Sequence, residues 1–204
     1  MFPHIRRLGR VEYLPTWAAM RDFTQARTPE TPDELWLLEH PPVFTLGQSG
    51  KPEHLLRDIG IPVVTTDRGG QITYHGPGQV VVYLLLDLRR RNLKIRTLVA
   101  RIEAAVIALL ATGGVTASRR PGAPGVYVGA DGSGAKIAAL GLRVKNQCSY
   151  HGVSLNVDME LSPFTAINPC GYPGLAVTQT HDLGLPWTPA EAGEALCAQL
   201  LAHL

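Results

Sequence analysis

The order of periodic segments predicts an α+β fold, with a mixed, largely antiparallel sheet and flanking helices. Three features carry the prediction. Short strand-like runs follow one another in hairpins and meanders rather than in strict strand–helix alternation. One of them, Val80–Leu86, is a continuous apolar run that suits a central strand covered on both faces. The longest helical stripe, Lys94–Ala111, is stopped by Gly113-Gly114 and followed by three more strand-like runs.

Along the chain, Val11–Tyr13 reads as the end of a short strand. Trp17, Met20 and Phe23 recur at helical spacing and predict a helix from about Thr16 to Arg27. Leu35–Leu38 and Val43–Leu46 read as strands parted by Pro41-Pro42. Pro62–Asp67 and the run beginning at Val80 flank a Gly-rich segment. In the long helix, Ile95, Leu98, Val99, Ile102, Val106, Leu109 and Leu110 make one apolar stripe. Gly125–Gly129, Ala135–Val144 and Cys148–Val157 read as successive strands, with turns at Ala130–Gly134 and Lys145–Gln147. A last helix starts near Thr188, where an N-cap Thr, Pro189 and a capping-box Glu191 coincide; Leu196, Leu200 and Leu204 give its buried face.

The 204 residues, 45% apolar, suffice for one domain over residues 1–204. Such a domain removes about 70% of its unfolded surface from water. No linker or internal repeat divides it. A net charge of +2 is too small to imply nucleic acid. Arg89, Arg90, Arg91, Lys94, Arg96 and Arg101 are clustered, as a solvated helix entry or as a docking patch for an acidic protein. The N-terminus lacks the apolar core of a signal peptide, and no apolar run approaches the ~20 residues of a membrane span. Cys148, Cys170 and Cys197 are odd in number and widely spaced, which argues against a disulfide framework or a Cys-pair zinc site. A reducing, cytoplasmic setting is the expectation.

Residues 68–79 read Arg-Gly-Gly-Gln-Ile-Thr-Tyr-His-Gly-Pro-Gly-Gln. A plain hairpin needs only a short turn. Arg68, Gln71, Thr73, Tyr74 and His75 on a Gly-shaped backbone therefore point to a ligand cradle, set against the simpler reading of a long wet connection. Cys170 lies in Asn168-Pro-Cys-Gly-Tyr-Pro-Gly174, on a tight turn that presents its sulfur. Cys197 and Cys148 read instead as buried structural residues. A reactive thiol needs a group to lower its pKa or remove its proton. Lys136 is a candidate, because the chain has only four Lys (51, 94, 136 and 145) and this one lies among small and apolar residues. An edge-strand lysine with its ammonium in water is the alternative.

No phosphate loop is complete, since the Gly in Gly134-Ala135-Lys136 is not followed by Lys and Ser or Thr. No His-Glu-x-x-His motif occurs, and Cys148 and His151 are three apart on an expected strand, pointing to opposite faces. No metal is expected. His75 and His151 are each open to a substrate-orienting or a structural role.

Four segments together, Arg68–Gln79, Lys136-Ile-Ala-Ala-Leu-Gly141, His151-Gly-Val-Ser-Leu-Asn156 and Asn168-Pro-Cys170-Gly, resemble the lipoyl(octanoyl) transferases. These are the octanoyl-[acyl-carrier-protein]:protein N-octanoyltransferases of lipoate biosynthesis. The likeness spans nearly the whole chain, with the motifs in family order. It implies a fold similar to the biotin and lipoate protein ligases. It implies Cys170 as acyl-thioester nucleophile and Lys136 as its activator. It also implies a substrate pocket lined by Arg68, Gly69, Gly70, Gln71, Ile72, Thr73, Tyr74, His75, Ala139, Leu140, Gly141, Gly152, Val153 and Ser154. The expected partners are the octanoyl-acyl carrier protein as donor, and as acceptors the lipoyl domains of 2-oxoacid dehydrogenase E2 subunits and the glycine cleavage H protein. Both kinds of partner are usually acidic. No nucleic acid, membrane or cofactor is expected. Three other readings stand beside this one: an ATP-dependent ligase of the same fold, a cysteine hydrolase with a histidine base, and a non-catalytic carrier-binding module.

Overall fold

The computed structural model describes residues 2–204. In chain order its elements are β1 (His4–Arg10), α1 (Tyr13–Gln25), β2 (Glu34–Glu39), β3 (Val43–Leu46), β4 (Val63–Thr65), β5 (Ile72–His75), β6 (Gln79–Leu85), α2 (Ile95–Thr112), β7 (Ala117–Arg120), β8 (Ala123–Val128), β9 (Lys136–Lys145), β10 (Cys148–Asn156) and α3 (Pro189–His203). Short 3₁₀ turns at Pro52–His54, Ser162–Ala166, Pro169–Gly171 and His181–Leu183 fill the connections. One sheet of seven strands has the order β1-β2-β6-β10-β9-β8-β7, and a smaller one has the order β4-β3-β5. Only β1–β2 and β3–β4 are parallel pairings of strands; the rest are antiparallel. The architecture is the expected mixed, largely antiparallel α+β fold.

β6 lies at the centre and is buried along its whole length. Its alternation serves two cores. Val80, Val82, Leu84 and Leu86 pack with the apolar stripes of α2 and α3. Val81, Tyr83 and Leu85 face the other way, against Met20, Trp36 and Tyr150 under α1. Each fully buried aliphatic side chain contributes roughly 1.5–3 kcal/mol. A third cluster, with Phe44, Ile72, Tyr74 and Phe164, packs behind the small sheet. α3 begins with a complete capping box between Thr188 and Glu191, as the sequence predicts. No helix among the described residues is long and apolar enough to cross a membrane.

Three differences from the sequence reading have local causes. Val11–Tyr13 does not end a strand: β1 stops at Arg10 after Gly9 takes a left-handed φ of 67° and shifts the register, and Tyr13 opens α1. β1 itself escapes prediction because its sequence, HIRRLGR, is an edge strand that buries little. β5 is hidden inside the Gly-rich segment.

The basic cluster divides. Arg90 and Arg91 close on the buried carboxylate of Asp33, which also takes Arg27 at 2.5 Å. Arg101 donates to the Leu204 carbonyl at 2.7 Å. Arg89, Lys94 and Arg96 stay exposed.

Candidate active site

Lys136 begins β9 and Cys170 sits in a turn 34 residues later. Chain geometry brings them together. After the Cys170 turn, the chain runs back along the start of β9: Lys136 N–H donates to the Ala176 carbonyl at 2.8 Å, and Thr178 N–H donates to the Lys136 carbonyl at 3.0 Å. The Lys136 ammonium then reaches the Cys170 sulfur at 3.0 Å. Lys136 is only 4% exposed, whereas Cys170 is half-buried. Gly125 makes room for the lysine. A Cβ there would fall on Lys136 Cε and the Ala138 carbonyl, and its φ of +135° suits only glycine. The Tyr127 ring lies 5.3 Å from Nζ. Burial works against the ammonium, but the neighbouring Cys170 sulfur and Tyr127 hydroxyl outweigh it and raise its pKa above the ordinary lysine range.

Cys170 itself has φ 56° and ψ 19°, a left-handed conformation unusual for a non-glycine residue. The turn is held by Gly171 N–H to Asn168 O at 2.9 Å and Tyr172 N–H to Pro169 O at 3.1 Å. His54 clamps it from outside. Its carbonyl accepts from Asn168 N–H at 2.8 Å, and its ring lies 3.3 Å from the Asn168 amide.

Cys170 and Lys136 share a cavity of about 430 Å³ with Arg68, Gly69, Gly70, Gln71, Thr73, His75, Ala139, Leu140, Gly141, Gly152, Val153 and Ser154. That volume is within the range of small-molecule sites, about 300–1,000 Å³. Ile72 and Tyr74, expected in this pocket, are not in its wall. They alternate with Thr73 and His75 on β5, so they point to the opposite face and pack with Phe44 and Phe164. The wall also holds residues that no motif indicated: Tyr13, Val81, Tyr83, Ile95, Val99 and Leu142. Tyr83 had a signal in the sequence, since a hydroxyl inside an apolar strand needs a partner.

Arg68 is buried and anchors the cradle through backbone and hydroxyl acceptors: Thr45 Oγ1 at 3.1 Å, Gly69 O at 2.9 Å and Gln71 O at 2.8 Å. Among the described residues no carboxylate pairs with it. Gly141 lets the cradle approach β9, since a Cβ there would press on the Gly69 carbonyl.

The cavity floor carries the rings of Tyr13, His75, Tyr83 and His151; His40 lies behind them, edge-on to His75 and tilted against Tyr83. His40 joins Val11 O at 2.6 Å and the Tyr83 hydroxyl at 2.7 Å, and His75 joins the Gln79 amide oxygen at 2.6 Å. Burial keeps the imidazoles neutral, holding His40 down at about 4 and His75 at about 3, and pushing His151 down too.

His151 breaks the alternation expected of its strand. Its φ of 59° turns it to the same side as Tyr150, and both reach Asp67. Asp67 also accepts from Trp17 Nε1 at 2.9 Å. Three donors, from α1 and β10, thus pin the residue just before Arg68. They hold its carboxyl well below the usual range despite partial burial. Asp67 is a positioning residue that the sequence motifs did not mark.

The model of the "Lipoyl protein ligase A/B catalytic domain" family matches residues 12–201. The chain is 68% identical over 204 residues to the octanoyltransferase of Dechloromonas aromatica, covering 100% of this chain and 98% of that protein. It is 66% identical over 192 residues to the octanoyltransferase of Thiobacillus denitrificans, covering 94% and 86%. In three dimensions it resembles lipoate-protein ligase A bound with ATP, with a TM-score of 0.80 at 14% identity over 100% of this chain and 85% of the other. It also resembles the biotin protein ligase of Aquifex aeolicus, with a TM-score of 0.57 at 12% identity over 100% and 69%. Those structural likenesses concern the fold. The family model and the two octanoyltransferases, each matched over most of its length, show that the chain belongs to the lipoyl protein ligase A/B catalytic-domain family.

Proposed function

We propose that this chain is an octanoyltransferase that moves an octanoyl group from the thioester of an acyl carrier protein to the target lysine of a lipoyl domain, through a thioester on Cys170. The observation that carries the reading is the Lys136 ammonium held 3.0 Å from the Cys170 sulfur at the wall of the cavity. A nucleophile with a proton-carrying partner at hydrogen-bond distance is what covalent acyl transfer requires.

Protons and bonds balance over the cycle. In the proposed cycle the Cys170 sulfur attacks the carrier thioester as the thiolate of an ion pair with the Lys136 ammonium, the carrier C–S bond breaks, and Lys136 gives its proton to the departing carrier sulfur. The acyl-enzyme now lacks the sulfur's negative charge. Without that charge, burial weighs more heavily and favours the neutral amine, the form able to accept a proton. The acceptor lysine sheds one proton to water and a second to Lys136 as its nitrogen bonds the acyl carbon. Cys170 leaves with its electron pair, and the starting ion pair returns. An amide is more stable than a thioester, so no ATP is consumed.

The developing oxyanion needs backbone donors. The N–H groups of Gly171 and Tyr172 are already committed within the turn. The edge of β9 offers another. Ala138 faces Val126 of β8, and the Leu142 carbonyl accepts from Gly69 N–H, so Leu140 between them also faces away from β10. A backbone N–H of the Ala139–Gly141 stretch of β9 would hold the oxyanion. Val81, Leu142 and Val153 with the ring faces of the floor receive the chain, and six or so buried methylenes contribute ~5 kcal/mol.

The test is transfer without ATP. Mixing the protein with octanoyl carrier and a lipoyl domain should add one octanoyl group to the lipoyl domain, and Cys170→Ser should abolish it. Transfer only from free octanoate with ATP would favour the ligase reading, and unchanged transfer by the Ser variant would remove the covalent route.

A further inference from the structure

The cavity mouth is bordered on one side by the start of α2. Ile95 and Val99, one helical turn apart, both line the cavity. Ile95 is 39% exposed, and Tyr172, which also lines the cavity, is 42% exposed. Lys94 and Arg96 flank Ile95 in sequence, are exposed, and take part in no ion pair among the described residues. Arg119 adds a further charge alongside: it donates to the Ala100 carbonyl and pairs with Glu103 at 3.2 Å. No Asp or Glu lines the cavity, whose two charged wall residues, Arg68 and Lys136, are both basic. Arg90, Arg91 and Arg101 bind Asp33 and Leu204 instead, which leaves Arg89, Lys94 and Arg96 as the exposed charges of the cluster, the last two flanking Ile95.

Resting on the transferase reading, we propose that the first turn of α2 is the docking surface for the acyl carrier. Lys94 and Arg96 meet carboxylates of that acidic protein, and Ile95 is the apolar contact over which the thioester-linked chain enters. The carrier fits this rim better than the acceptor does. Its acyl chain has to pass the Ile95–Val99 wall to lie in the cavity, whereas an acceptor lysine need only reach the sulfur. Charges placed this way act mainly on encounter, so they raise the association rate and fade as salt screens them.

Two donors separate docking from chemistry: octanoyl carrier and octanoyl-pantetheine, a small thioester with no protein surface. The rate of octanoyl addition to the enzyme is measured with each, for the wild type, for Lys94→Glu/Arg96→Glu, and for Arg21→Glu as an exposed control on α1. The double variant should lose about 10- to 100-fold in kcat/KM with the carrier. It should keep the wild-type rate with octanoyl-pantetheine, and once acylated it should pass its octanoyl group to a lipoyl domain normally. The wild-type rate with carrier should fall as salt rises, and Arg21→Glu should match the wild type. Wild-type acylation of the double variant by the carrier overturns the proposal. So does an equal loss with octanoyl-pantetheine, which signals a damaged cavity. A loss confined to the lipoyl-domain step overturns it in favour of acceptor docking. Failure of the wild type to accept an octanoyl group from either donor removes the transferase reading itself.

Discussion

The two halves of the reactive pair stand on very different supports. Lys136 opens a strand that is bonded to β8 on one side and to the returning 176–178 segment on the other, and its side chain lies over Tyr127 in the space left by Gly125. Cys170 stands on a single 3₁₀ turn with a left-handed backbone, tied down by a few bonds to Asn168, Pro169 and His54. The proposed proton carrier is thus fixed by the sheet, while the proposed nucleophile is presented by a strained but half-open turn. That division suits a reaction in which one protein must leave the sulfur before another approaches.

The largest expected effect lies on the fixed side. Lys136→Met keeps the apolar stem and removes the amine, so transfer should fall about 10²- to 10⁴-fold. The thermal midpoint should hold or fall slightly, because the neighbours that raise the lysine pKa favour the ammonium by more than burial costs it. Steady-state transfer and a melt on the same sample check this; full activity would show that the amine takes no part. Next comes Gly125→Ala, which puts a methyl group where Lys136 Cε now lies. A misplacement of this kind should cost about 10- to 100-fold in rate. The left-handed φ adds roughly 1–3 kcal/mol of instability. A variant with normal kinetics would mean that the β8–β9 register does not set the lysine.

A smaller, graded effect concerns pH. His40, His75 and His151 are buried neutral, with folded pKa values below the unfolded 6.5. Their stabilising contribution is therefore complete above pH 6.5 and is lost as pH falls toward the folded values. Between pH 6.5 and about 4, His40 and His75 should each remove roughly 1.4 kcal/mol per pH unit, and His151 acts in the same direction. Urea unfolding across that interval measures the slope, and a flat profile would contradict the neutral ring wall. The smallest effect belongs to the turn. Cys170→Gly should be more stable than Cys170→Ala by about 1 kcal/mol, because only glycine adopts φ 56° freely. Equal stabilities would mean the turn is not strained.

The same division governs how much could be read from the sequence. α3, α2 and β6 are written locally, in a capping box, a helical stripe and an apolar run, and each forms within a residue or two of its expected place. Lys136 and Cys170 stand out by composition and by flanking Pro and Gly, though nothing in their spacing brings them to 3.0 Å. That needs the parallel return of residues 176–178, a tertiary event. Ile72 and Tyr74 enter the expected pocket with the whole Arg68–His75 stretch that the family resemblance implies, whereas a four-residue strand inside it alternates faces. His151 reverses the usual alternation through one backbone angle, and no side-chain pattern encodes that. Asp67, Tyr13 and Ile95 belong to three separate elements whose convergence only the fold supplies.

Intact-mass measurement of the protein after incubation with octanoyl carrier alone, with no acceptor present, puts the covalent pair to trial. The wild type should carry one octanoyl group, Cys170→Ala none, and Lys136→Met should reach the same adduct far more slowly. An unmodified wild type, or an adduct that survives the loss of Cys170, would contradict it.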